Sequence, residues 1–339
     1  VGRAFRCPYH SWAYRTDGTP LAVPNPQGYE ATDLRRCESG KGLVRIPSAE
    51  RRGFVFARIA PDGPGFESWF GPALEALDAV ADRAPSGELE VAGAPLRSLI
   101  RCNWKIYLEN VNDTLHANIT HESAAIAAQA VWDAQPPGTP KPTALEQLLP
   151  FGSGNDFMER MGGRVFPNGH SYLGTSASLH SAYSGIPEYE AAMIAAYGEA
   201  RTRQILSWAP QNAILYPSVA LKASPQTLRV IRPLGAARTL IETWAFRPQG
   251  APDALLARTW LYNRMVFSPM SMVAHDDIHV FETIQAALAA EGNDWVSLHR
   301  DHAPDEGAPD AAGTDTSGLS ERLMRNQYRA WAELMAEPL

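Results

Sequence analysis

The chain has 339 residues, 45% hydrophobic and 20% charged, enough apolar content for a large core and two or three domains. Acidic residues outnumber basic ones, 37 to 30, and the formal net charge of −7 argues against a nucleic-acid or anionic-membrane surface. Three cysteines make no disulfide framework and no apolar run is long enough to span a bilayer, so a cytoplasmic enzyme without nucleic-acid or membrane partners is expected.

Taken in order, the first chemical signal is Cys7-Pro8-Tyr9-His10-Ser11-Trp12, a tight Pro-containing turn able to present a thiolate and an imidazole to one metal centre. Turn signals follow at Asp17-Gly18-Thr19-Pro20 and Pro24-Asn25-Pro26, with short strands expected at Gly42–Ile46 and Gly53–Ile59. This reads as part of a small antiparallel β domain, closed by Pro61-Asp62-Gly63-Pro64-Gly65. A helix is predicted at about 68–84, capped by Ser68, with Phe70, Leu74, Leu77 and Val80 as its apolar face. A strand near 88–101 leads into Asn103–His121. Between 163 and 247 the pattern predicts strands at 170–182, 211–222, 226–234 and 238–247 and helix at 188–206. Late helices are expected at 251–291, broken near Ser268-Pro269, and at 319–336, with the Gly/Pro/Asp/Ala-rich stretch Pro304–Gly318 as a mobile loop. The fold class is α+β: one antiparallel sheet packed against helices on one side.

A second constellation is Glu109-Asn110-Val111-Asn112-Asp113-Thr114-Leu115-His116-Ala117-Asn118-Ile119-Thr120-His121. At about 100° per residue, Glu109, Asp113 and His116 share one helix face. His121 lies about 140° from His116 on a regular helix, so both imidazoles reach one metal only if the helix distorts or ends between them. A third ligand should come from His275-Asp276-Asp277-Ile278-His279. Asp277 falls on the apolar stripe Val273, Phe281, Ile284, Leu288, where a carboxylate is costly unless paired or metal-bound. The alternative is a buried salt bridge, for example to Arg264, and His275 and His279 are rival ligands. Two imidazoles plus one carboxylate make the facial triad of non-haem Fe(II) oxygenases, with positions left open for O₂ and substrate.

These residues, with Gly53-Phe54-Val55-Phe56, Asn103-Trp104-Lys105, Phe267-Ser268-Pro269 and Arg325-Asn326-Gln327 before Trp331, resemble the alpha (large) subunit of Rieske non-haem iron aromatic ring-hydroxylating oxygenases. The resemblance covers essentially the whole chain. It implies that residues 1–62 are the C-terminal part of a Rieske [2Fe–2S] domain, with Cys7 and His10 as one ligand pair of the cluster. It implies that residues 63–339 are a helix-grip (Bet v1-like) catalytic domain holding mononuclear Fe(II) through His116, His121 and Asp277. Asp113 corresponds to the catalytic bridging carboxylate, bonded to an iron-ligand His and to a cluster-ligand His of the neighbouring subunit. Asn110, Phe267 and Val273 stand at positions that line the substrate pocket, although plain core packing explains the last two equally well.

The implied activity is O₂-dependent hydroxylation, and specifically cis-dihydroxylation, of an aromatic compound. The implied partners are a reductase or ferredoxin, through which NAD(P)H acts only indirectly, and two further copies in a trimer, with or without a beta subunit. The first Cys/His pair of the cluster is missing: residues 1–6 cannot supply it, and neither Cys37 nor Cys102 has a His two positions on. An N-terminally truncated chain, inactive alone, is therefore expected. The rival readings are a Rieske monooxygenase or O-/N-demethylase with the same iron chemistry, a Rieske electron carrier, and a non-functional fragment.

Overall fold

The computed structural model describes residues 2–31, 42–180, 185–208, 210–290, 292 and 295–336; Cys37 lies outside them. The chain divides into two compact units, Val1–Pro64 and Gly65–Leu339. The smaller one carries a three-stranded antiparallel sheet, β1 (Ala4–Arg6), β2 (Ala13–Arg15) and β3 (Pro20–Ala22), and a hairpin of β4 (Ser48–Arg51) and β5 (Phe54–Ala57). Arg52 and Gly53 take φ of 55° and 84°, and Arg51 pairs directly with Phe54, the signature of a two-residue left-handed hairpin turn. That turn sets the register, so the strand expected at Gly42–Ile46 forms later, at 48–51.

In the larger unit, three predicted elements are each split where a glycine takes positive φ. The helix expected over 68–84 becomes α1 (Phe66–Phe70) and α2 (Glu75–Ala81), separated by Gly71-Pro72, and Gly65 rather than Ser68 precedes it. Leu74, Leu77 and Val80 are buried as expected. The strand near 88–101 becomes β6 (Leu89–Val91) and β7 (Leu96–Ile100) around Gly93, and Gly198 later divides α8 (Pro187–Tyr197) from α9 (Glu199–Ser207). Positive φ ends a helix or kinks a strand because only glycine adopts it without a Cβ clash.

Asn103 caps α3 (Trp104–Val111) by accepting from Lys105 N. Next come α4 (Leu115–Thr120), α5 (Glu122–Asp133), α6 (Thr143–Leu148) and α7 (Asn155–Met161), the last three unanticipated. The sheet is completed by β8 (Gly163–Val165), β9 (Ser171–Leu173), β10 (Asn212–Leu215), β11 (Val219–Lys222), β12 (Thr227–Gly235) and β13 (Arg238–Pro248). Helix α10 (Asp253–Tyr262) ends in a π turn over Asn263–Phe267, then Ser271 caps α11 (Met272–Ala289) through Ala274 N. The break expected at Ser268-Pro269 lies between them. Last are β14 (Thr314–Thr316) and α12 (Arg322–Ala336).

All described pairings are antiparallel, in the order β14-β8-β9-β10-β11-β12-β13, with β6 and β7 both pairing β13. The α+β class holds, an antiparallel sheet packed by helices. Helices do not keep to one face, however. On one side Ile106, Tyr107, Leu108 and Val111 of α3 and Phe281 of α11 form a core with Ile214, Ala220, Ile231 and Ile241 of the sheet. On the other, Tyr172 accepts from Ala76 N (3.0 Å) and donates to the carbonyl of Ala73 (2.9 Å). Every residue of β9 and β10 is buried, as strands covered on both faces must be.

The segment expected to be a mobile loop, Pro304–Gly318, is anchored at two places. Its β14 pairs β8, and Glu306 accepts from Arg325 Nε (2.9 Å) and Nη2 (2.5 Å). Those bonds from Arg325 hold the Glu306 carboxyl below its ordinary range. A depressed folded pKa stabilises the fold above the unfolded value, about 4.3 for Glu, and that stabilisation is lost as pH falls through the folded value. Glu306→Gln should therefore melt below wild type at neutral pH, with the gap closing as the medium is acidified below about pH 4. Melting curves across pH test this; a gap that persists at about pH 2 refutes it.

Candidate metal centre and its pocket

The site starts from a broken helix. Helix α3 ends at Val111, and Asn112-Asp113-Thr114 bridges to α4. Three side-chain bonds fix the bridge: Asn112 Nδ2 to Gln327 Oε1 (3.2 Å), Ser171 Oγ to Asn112 Oδ1 (2.8 Å) and Thr114 Oγ1 to the Gly318 carbonyl (2.7 Å). Glu109, Asp113 and His116 therefore do not share one continuous helix face. Asp113 reaches His116 as the carboxylate ahead of α4: its Oδ2 accepts from His116 N (2.6 Å) and lies 3.0 Å from His116 Nδ1. His121 occupies the junction between α4 and α5, with φ −103° and ψ 17°. The interruption required for two imidazoles five residues apart thus falls immediately after α4.

Asp277 approaches from α11. Its Oδ1 lies 3.3 Å from His121 Nε2 and 3.9 Å from His116 Nε2, and accepts from Asn110 Nδ2 at 3.0 Å. One ligand atom from each of His116, His121 and Asp277 falls within 4.8 Å of the others. Donors about 2.1 Å from a common ion stand about 3–3.5 Å apart, so this set fits a metal with small adjustments. His275 and His279 stay outside the group, and among the described residues Asp277 pairs with the two imidazoles rather than with Arg264. The stripe that drew attention to Asp277 is only half core: Val273 and Phe281 are buried, while Ile284 and Leu288 are exposed.

Each imidazole is also held from behind. Asp113 faces His116 Nδ1, and Asp276 Oδ2 lies 3.5 Å from His121 Nδ1, leaving both Nε2 atoms toward Asp277. Carboxylates in these positions fix ligand tautomer and ring orientation. Asp113 is itself gripped by Arg300 Nη2 at 2.7 Å. Burial works against a charged His116, yet the bond to Asp113 and the nearby Asp277 carboxylate raise its pKa above the ordinary range. Burial likewise pushes Asp113 upward, but its bonds with His116 and the Arg300 charge outweigh it and hold the carboxyl low.

The triad borders a cavity whose empty space, open mouth included, is about 500 Å³. Asn110, Phe267 and Val273 all line it, and Val273 packs in the neighbouring core as well. Asn110 does more than line: its amide orients the Asp277 carboxylate. A second cavity, about 410 Å³, shares Asn110, Arg229, Val266, Phe267 and Asp277 with the first. Among the lining residues that the sequence did not mark are two basic ones, Lys222 and Arg229, which are 6% and 4% exposed.

In the smaller unit, Cys7 N donates to Trp12 O (2.8 Å) and Ser11 N to Cys7 O (3.0 Å), closing the expected turn with Ser11 at φ 64°. The backbone N–H groups of Tyr9 and His10 bond to the sulfur and hold the Cys7 pKa below the usual thiol value. Cys7 is half-buried and His10 exposed. A Rieske cluster takes two thiolates and two imidazoles. Cys102, the other cysteine among the described residues, is fully buried in the sheet–helix core of the larger unit, where burial pushes its thiol up to about 12. The described residues of this chain therefore do not complete such a donor set.

An antiparallel sheet packed by helices, with two imidazoles and a carboxylate gathered beside an open cavity, offers the donor set used by mononuclear non-haem iron oxygenases. The family model for the ring hydroxylating alpha subunit (catalytic domain) matches residues 75–337, and the chain belongs to that family. It is 26% identical to the N,N-dimethyl phenylurea N-demethylase subunit alpha of Sphingobium sp., over 97% of this chain and 72% of the relative. It is also 26% identical to the anthranilate 1,2-dioxygenase large subunit of Acinetobacter baylyi, over 99% and 72%. In fold it resembles the naphthalene 1,2-dioxygenase of Rhodococcus sp. bound to indole, with TM-score 0.70 and 21% identity over 99% of this chain and 77% of that one. The family implies iron and a Rieske cluster in general. No described helix is long and apolar enough to cross a membrane.

Proposed function

We propose that this chain is the oxygen-activating component of an aromatic ring hydroxylase, with His116, His121 and Asp277 as the ligands of a mononuclear Fe(II). The observation that carries the reading is the convergence of these three donors within 4.8 Å on an aromatic-lined cavity in a ring-hydroxylating family chain. When bound, ferrous iron supplies an O₂-binding site and one-electron chemistry. The residues do the rest. Asp113 and Asp276 orient the two imidazoles, Asn110 fixes the Asp277 carboxylate, and Phe151, Val273 and Phe267 offer a dry wall against which a flat ring can lie. The reaction is cis-dihydroxylation, carried out in the cytoplasm by a homotrimer, with or without a beta subunit.

Electrons come from a reductase or ferredoxin, with NAD(P)H acting only through it. Residues 1–62 form the C-terminal part of a Rieske domain, residues 63–339 the catalytic domain, and Cys7 and His10 one pair of the cluster's ligands. Asp113 faces the cluster-bearing region of a neighbouring copy. Turnover under ¹⁸O₂ tests the reaction: a cis-diol carrying both labelled atoms supports it. Single-atom insertion or demethylation would replace it with the monooxygenase reading.

A further inference from the structure

The cavity wall contains two buried cations that the reading above leaves without a task. Strand register puts them there. In β11 and β12, Lys222 pairs with Thr227 and Ala220 with Arg229, so period-two alternation sends both cationic side chains to the sheet face that carries Asn212 and Ile214. Both line the cavity beside His116, His121 and Asp277. Arg229 donates to neutral acceptors, Tyr107 Oη (3.2 Å) and Asn212 Oδ1 (2.6 Å), while its buried Nε has no partner and its guanidinium lies 4.7 Å from the Phe267 ring centroid. Lys222 Nζ sits 5.6 Å from the Tyr262 ring centroid. Among the described residues, no carboxylate forms an ion pair with either cation. The two carboxylates that line the same cavity are already engaged, Asp277 by both imidazoles and Asn110, Asp113 by His116 and Arg300.

Buried charges are retained where something pairs with them. Here two basic side chains share one wall with no carboxylate partner, and a divalent ion in the triad would make the cavity more positive still. Aromatic rings at Phe151, Tyr262 and Phe267 also line the cavity. We propose that the substrate is an aromatic carboxylate, its ring against these side chains and its anionic group paired with Lys222 and Arg229. The inference deepens the hydroxylase reading and rests on it for the fate of the ring. Burial and the adjacent Arg229 charge also drive the Lys222 pKa well down, which an incoming anion would reverse.

The test is binding without turnover, on iron-loaded protein under nitrogen, with benzoate and its neutral isostere benzamide as probes in calorimetric titration. Benzoate should bind at least about tenfold more tightly, a preference that Lys222→Met should abolish with little change for benzamide. The variant removes a buried amine that has no carboxylate partner, so its ligand-free melting temperature should equal or exceed that of wild type, and benzoate should raise the melting temperature of wild type only. Equal binding of the two probes, binding of neither, or unaltered benzoate affinity in Lys222→Met overturns the proposal. The two readings fail separately. A neutral arene converted to a cis-diol without any benzoate preference would sink the carboxylate inference alone. Lys222-dependent benzoate binding with no oxygenated product from any arene, given iron and electrons, would sink the hydroxylase reading alone.

Discussion

Replacing His116 with alanine is expected to lower bound iron to below about one tenth of the wild-type content and to remove product formation with it. His116 is the better of the two imidazoles to remove. Its side chain is 24% exposed, whereas that of His121 is 1% exposed and packs edge-on against Phe151 at 5.2 Å between ring centroids. His121→Ala would open a void in the core and confuse loss of metal with loss of fold. For His116→Ala the circular dichroism spectrum and melting temperature should stay close to those of the metal-free wild type. Iron measured by emission spectroscopy on the desalted protein decides the matter. Full iron content with retained turnover would show that the triad is not the metal site.

The second large effect is expected at Asp113, which touches the centre through its neighbours. Its carboxylate has three tasks: it accepts from the His116 N–H in the first turn of α4, it orients the His116 ring, and it neutralises Arg300. Asp113→Asn keeps the shape but turns an amide donor toward either the imidazole or the guanidinium, so metal affinity should fall by about 10–100-fold. Asp113→Ala also removes the cap and should cost about a further 1 kcal/mol of stability. Competition with a chelator measures the first effect and thermal melting the second. An Asn variant that binds iron within about twofold of wild type would reduce Asp113 to a helix cap.

How far the sequence reveals this molecule depends on the range of the signal. Cys7, His10, His116 and His121 stand out because their spacings are local, and the unusual five-residue separation of the two imidazoles itself demands the interruption seen after α4. Asp277 is legible because a carboxylate interrupts an apolar helical stripe, although that stripe turns out to be half exposed. Apolar periodicity continues across a glycine that the backbone uses to turn, so the sequence pattern does not show the breaks at Gly71-Pro72, Gly93 and Gly198. Lys222 and Arg229 could not be assigned to the cavity, because which face of a strand a side chain occupies depends on registers between β10, β11 and β12. The only trace is a lone cation in each of two otherwise apolar runs, Val219–Lys222 and Leu228–Ile231. Arg300 lies in an irregular stretch where no periodic pattern marks it.

Asn263–Phe267 is the one described stretch of the main chain that adopts a wider helical winding, closed by Ser268 N donating to the Asn263 carbonyl at 3.0 Å. Such a winding holds one residue more than an α turn. Val266 and Phe267, carried on it, border both cavities. Loss of a single codon here would let the segment tighten and swing both side chains away, reshaping the lumen without touching any metal ligand. Descendants of this chain therefore have a route to new substrates through deletion as well as through replacement.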